Sequence, residues 1–124
     1  MGDKVAIVTG AAAGIGAACA KRLAADGIAI GALDLDAARC ADTVAAIEAA
    51  GGRALALGAD VSDRAQLCAA LDELRGAFGP VTIVVNNAGV TAFTPFTQIT
   101  DEQWDFIYSI NVRAVFALCQ EALP

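Results

Sequence analysis

Four short apolar runs, each followed by a stretch with apolar residues at helical spacing, limit what this chain can fold into more than any other feature. The runs are Lys4–Val8, Ile28–Leu33, Arg53–Leu57 and Val81–Val85. Strands that read as near-continuous apolar runs are buried on both faces, as in parallel sheets. The first intervening helix is expected from about Ile15 to Ala25, ending at Asp26-Gly27, with Ile15, Ala18, Cys19 and Leu23 facing the sheet. The second has Asp36 as its cap and Ala37, Cys40, Ala41, Val44 and Ile47 as its buried stripe. Ser62 is read as the cap of the third, which carries Leu67, Leu71, Leu74 and Phe78 and stops at Gly79-Pro80. After a loop over Val90–Ile99, Thr100-Asp101-Glu102-Gln103 reads as a capping box. The last helix then presents Trp104, Ile107, Tyr108, Asn111, Val115 and Leu118 on one face. Strand–helix alternation of this kind gives a parallel sheet covered on both sides. Right-handed crossovers reduce the topology to a doubly wound α/β sheet in order 3-2-1-4, the first part of a Rossmann fold. The whole of residues 1–124 is read as one domain, incomplete before the next strand.

Composition excludes several functions. The chain is 57% hydrophobic and carries a net charge of −6, with Lys4 and Lys21 its two lysines. Such a balance argues against nucleic acid, whose phosphates select basic surfaces. No apolar run is long enough to span a bilayer, and the N-terminus lacks the features of a signal peptide. Ala6, where myristoylation would want Ser or Thr, argues against a lipid on Gly2. The four cysteines, Cys19, Cys40, Cys68 and Cys119, are widely spaced, and histidine is absent. A metal site and a disulfide framework are therefore not expected; the cysteines read as small apolar residues in a reducing, cytoplasmic protein.

The parallel topology places the ligand outside the carboxyl ends of the strands, where the strand order reverses. Four marked features fall at those ends. The turn Thr9-Gly10-Ala11-Ala12-Ala13-Gly14-Ile15-Gly16 joins the first strand to the first helix. Amides at a helix start have no partners within the helix, and the helix dipole favours an anion there. Glycine leaves room for a phosphate to approach. Asp34 ends the second strand, where a carboxylate accepts from both ribose hydroxyls of an adenosine and repels a 2′-phosphate. With Leu33 and Leu35 beside it, no basic partner is apparent, which favours NAD over NADP. Asp60-Val61 and Asn86-Asn87-Ala88-Gly89 follow the third and fourth strands.

These motifs, in this order, resemble the N-terminal half of a short-chain dehydrogenase/reductase, and the resemblance covers the whole chain. Patterns of this kind occur in 3-oxoacyl-carrier-protein reductases and in alcohol and sugar dehydrogenases. The resemblance implies that Gly10, Ala13, Gly14, Ile15 and Gly16 meet the phosphate-bearing part of a nicotinamide dinucleotide. It gives Asp34 the adenosine ribose, Asp60 and Val61 the adenine, and Asn87, Ala88 and Gly89 the nicotinamide side. Asn111 aligns with the family's catalytic asparagine, and an amide on an apolar stripe must in any case find partners. The family's serine and Tyr-x-x-x-Lys are missing: Tyr108 precedes Asn111 and is followed four residues later by Val112, so it reads as a core or interface aromatic. The implied activity is hydride transfer between nicotinamide and a carbinol or carbonyl carbon of a small alcohol or ketone. The complete protein is expected to be a homo-oligomer. A non-catalytic nucleotide-binding or assembly module is the alternative. A methyltransferase-like domain is disfavoured by Asn86–Gly89 and Asn111.

Overall fold

The computed structural model describes residues 4–123; Gly2 and Pro124, on which two sequence expectations rest, lie outside the described residues. Four strands, β1 (Val5–Thr9), β2 (Ala29–Asp34), β3 (Ala54–Gly58) and β4 (Ile83–Val85), form one parallel sheet in the order β3-β2-β1-β4. Its register sets Thr9 against Leu33, Asp34 against Gly58 and Val8 against Val85. The four carboxyl ends therefore lie side by side. The helices are α1 (Gly14–Ala25), α2 (Ala41–Ala49), α3 (Arg64–Phe78), α4 (Asp101–Tyr108) and α5 (Ala114–Ala122). The strand ends differ from the sequence reading by about a residue for the first three. The fourth strand loses Val81 and Thr82.

Alternate residues of β1 serve two cores. Val5 and Ile7 pack with Leu67, Leu71 and Leu74 of α3 and Leu118 of α5. Ala6 and Val8 pack with Ala20 and Ala24 of α1 and with Ile47 of α2. The buried side chains that α1 contributes to this second core are small, Ala20 and Ala24. On the other face, the Leu74 methyls occupy the space a side chain at Gly31 would need.

Three helix readings are corrected. The buried face of α1 is Gly16, Ala17, Ala20 and Ala24, while Ile15 is 75% exposed and Ala18 is also exposed. In a helix this rich in alanine, the larger side chains do not mark the inner face. In and before α2, the buried positions are Cys40, Thr43 and Ile47, with Ala41 exposed. Asp36 does cap this segment, accepting from the Ala38 amide, but it opens a 3₁₀ turn (Ala37–Cys40) that precedes α2. The cap of α3 is Asp63, which accepts from the Gln66 amide, and not Ser62, whose hydroxyl is committed to Asp60.

The last helix is not continuous. The Thr100–Gln103 capping box starts α4 as expected, but a π turn at Ser109–Arg113 separates α4 from α5. Each residue of an α-helix turns the chain by ~100°, so the wider π turn shifts the face. Trp104 and Tyr108 are consequently exposed, whereas Ala114, Ala117 and Leu118 are buried. Tyr108 is thus not a core aromatic; it stacks on Trp104 with ring centroids 6.1 Å apart.

Candidate active-site cleft

A cleft of about 280 Å³ opens over the strand ends, lined by Gly10, Leu33, Asp34, Asp60, Val61 and the Asn87–Val90 segment among others. Of the residues expected to hold a cofactor, it brings together Gly10, Asp34, Asp60, Val61, Asn87, Ala88 and Gly89. Ala13, Gly14 and Ile15 are exposed at the start of α1, outside the cleft lining, and Gly16 is buried beneath the turn.

The turn is fixed from both sides. Gly10 takes a positive φ of 64° and Gly14 one of 59°, which L side chains avoid. The Asn87 side-chain amide donates to the Gly10 carbonyl at 3.2 Å. The Thr9 hydroxyl accepts from the Asn87 and Ala88 amides at 3.0 and 2.9 Å and donates to the Val85 carbonyl. Thr9 therefore ties the end of β1 to the end of β4. A side chain at Gly16 would collide with the Gly10 carbonyl and with the Asn87 amide. At Gly14, by contrast, an added Cβ would meet no atom within 4 Å. The first turn of α1 has no side-chain cap, which leaves its amides available to an anion. This open cradle, bounded by glycines, fits a dinucleotide's phosphates.

Asp34 is held rather than free. Its carboxylate accepts from the Ala12 amide at 3.2 Å and from the Leu35 amide at 2.9 Å. The expectation of no basic neighbour is corrected: the Arg39 guanidinium lies 3.8 Å from Asp34 Oδ1. The 3₁₀ turn after Asp36 brings Arg39 back, a proximity invisible when only Leu33 and Leu35 are considered. Asp60 accepts from both the amide and the hydroxyl of Ser62, at 2.9 and 2.6 Å. These bonds favour the carboxylate and hold its pKa below the usual range.

Asn111 sits in the π turn and is exposed, so the argument from a buried amide fails. It nevertheless uses both ends of its side chain. Its Oδ1 accepts from the Val90 amide at 2.8 Å, and its Nδ2 donates to the Val90 carbonyl at 2.7 Å. This pair clamps the loop after β4 at the edge of the cleft. π turns inside helices are frequently found at functional sites.

The reading of the cysteines as small apolar residues holds for Cys40 but not for Cys119, which is exposed and accepts from the Asn86 side-chain amide. Burial, with the Asp34 carboxylate adding to it, pushes the Cys40 thiol up to about 11. A thiol of raised pKa holds little thiolate at pH 8 and reacts slowly. Iodoacetamide at pH 8 is therefore expected to label Cys119 well before Cys40, as read by peptide mass spectrometry. Equal labelling would contradict the burial of Cys40. Among the described residues, no group of three or more metal-ligating side chains is assembled, and no helix is long and apolar enough to cross a membrane.

The family model described as short chain dehydrogenase matches residues 4–124. The chain belongs to the short-chain dehydrogenase family. An L-2,3-butanediol dehydrogenase from Corynebacterium glutamicum is 42% identical to it, over 97% of this chain and 47% of that protein. The crystal structure of a 3-ketoacyl-ACP reductase from Sinorhizobium meliloti 1021 superposes with a TM-score of 0.92 at 40% identity, covering 97% of this chain and 48% of that one. A metagenomic short-chain oxidoreductase in complex with NADP superposes with a TM-score of 0.90 at 32% identity, covering 96% and 54% respectively. The chain spans about half the length of the curated relatives it matches. Family membership and the order of the sheet thus agree with the resemblance read from Thr9–Gly16, Asp60-Val61 and Asn86–Gly89.

Proposed function

We propose that this chain is the cofactor-binding half of an NAD-dependent oxidoreductase acting on a carbinol or carbonyl carbon of a small alcohol or ketone. The observation that carries the reading is the convergence of Gly10, Asp34, Asp60, Val61 and Asn87 on one cleft at the strand ends. The bound dinucleotide supplies the hydride chemistry. The chain's own residues bind and orient it. The free amides at the start of α1 take the phosphates, and the Asp34 carboxylate takes the adenosine ribose. Asp60 and Val61 border the adenine, while Asn87, Ala88 and Gly89 face the nicotinamide side. Asn111, through Val90, holds the loop that borders the reacting end, which supports the catalytic role the resemblance gives it. Exposed Trp104, Phe106 and Tyr108 on α4 suit assembly with further copies of the protein. Four free cysteines suit a reducing cytoplasm.

NAD(H) is expected to bind more tightly than NADP(H), because a 2′-phosphate would meet the Asp34 carboxylate. Arg39 offsets part of that repulsion, so the preference should be about tenfold rather than absolute. Asp34→Ala should reduce it to near unity. Calorimetric titration of the intact protein with both cofactors tests this. Tighter NADP(H) binding by the unsubstituted protein would overturn the assignment of Asp34.

A further inference from the structure

We infer that Thr43, a residue of α2 that lines no part of the cleft, is the positioning residue that sets the phosphate-binding turn. Thr43 is 2% exposed, and its hydroxyl donates to the Ala11 carbonyl at 2.8 Å, across 32 residues of sequence. Ala11 is itself fully buried, and its amide donates to the Leu33 carbonyl at 3.1 Å. Both backbone polar groups of Ala11 are therefore committed, its amide to β2 and its carbonyl to α2. The next amide, that of Ala12, goes to Asp34. Ala11 and Ala12 begin the three-residue arm, closed by Ala13, between the two positive-φ glycines, Gly10 and Gly14. Fixing the arm fixes where the α1 amides point.

No local requirement of α2 calls for threonine here. Thr is a middling helix former, and a buried hydroxyl without a partner is costly. An alanine or valine would fill the same interior position without a polar group to satisfy. Among the described residues, the hydroxyl's partner is the Ala11 carbonyl of the turn. Without it, the Ala11 carbonyl would be left buried and unpaired, and the turn could relieve this only by moving. A binding loop that must be ordered by its ligand binds more weakly than one already held.

The inference rests on the reading of the cleft as a dinucleotide site, and the test separates the two. Thr43→Val keeps the shape and removes the hydroxyl; Thr43→Ser keeps the hydroxyl. On the intact protein, NADH affinity is measured by fluorescence titration, and amide hydrogen exchange over residues 11–16 is measured without ligand. Thr43→Val is expected to weaken NADH binding by about tenfold and to speed exchange in the turn, with Thr43→Ser close to the unsubstituted protein. Should the valine variant fail to fold, Thr43→Ala replaces it, since it differs from Thr43→Ser by the hydroxyl alone. Unchanged affinity in the hydroxyl-less variant, or equal weakening in Thr43→Ser, overturns the role of Thr43 while leaving the site intact. Absence of NADH binding by the unsubstituted protein overturns the site and the cofactor-positioning role together, and unchanged exchange overturns the tether itself.

Discussion

Gly14→Val is expected to abolish dinucleotide binding while leaving a folded protein. A side chain at Gly14 would meet no atom within 4 Å, so nothing in the fold has to move to admit it. The same open space is where a phosphate must come to reach the free amides of α1. The residue sits at φ 59°, a conformation that costs a residue with a Cβ about 1–2 kcal/mol. That cost is small beside the ~5–15 kcal/mol of a typical domain. Binding should fall by at least about 100-fold, or roughly 3 kcal/mol, in a fluorescence titration with NADH. Gly16→Ala is the contrasting control. Its methyl would run into the Gly10 carbonyl and the Asn87 amide, and overpacking against such neighbours typically costs about 1–3 kcal/mol. Gly16→Ala should therefore lower the melting temperature as well as the affinity. Unchanged affinity in Gly14→Val would mean that the turn does not cradle phosphate.

The difference between these two glycines could not be read from the sequence, although the turn itself could. Strand–helix alternation is legible because the central strands β1 and β2 bury both faces, and that demand writes a continuous apolar pattern. The ends of the strands follow within about a residue, and with them the group of residues at the cleft. What escaped depends on chain geometry finer than periodicity. The π turn at Ser109–Arg113 has no signature in a pattern of apolar residues, so a continuous helix places Trp104, Asn111 and Leu118 on one face that the structure divides. The 3₁₀ turn at Ala37–Cys40 folds Arg39 back on Asp34, which no inspection of immediate neighbours reveals. Thr43 and Thr9 are polar residues buried among apolar ones, and their carbonyl or amide partners lie 32 to 79 positions away. A buried threonine with no local hydrogen-bonding reason to be there is the one signal that could have drawn attention to such tethers.

Residues 1–124 alone are expected to turn over no alcohol or ketone at a measurable rate, even where they bind NADH. Reduction of a carbonyl leaves an alkoxide that needs a proton, and a positioned acid typically contributes ~10²–10⁴-fold. None of the groups around the cleft is suited to supply it. Asp60 is held in its charged form by the two bonds from Ser62. Asp34 accepts from two backbone amides and faces Arg39. Asn111 is committed to Val90 through both ends of its side chain, and an amide is no acid at neutral pH. Tyr108, the single tyrosine, stacks on Trp104, half-exposed, with no lysine near it in sequence. Histidine is absent altogether. The measurement is NADH oxidation across a panel of ketones by this chain and by the same chain joined to the second half of a homologous dehydrogenase. NADH binding is titrated in both, so that a silent assay reflects chemistry and not an unfolded protein. Binding by both and turnover by the joined chain alone is the expected result. Equal turnover by the two would show that the residues described here supply the proton themselves, and the division of cofactor binding from proton transfer would fall.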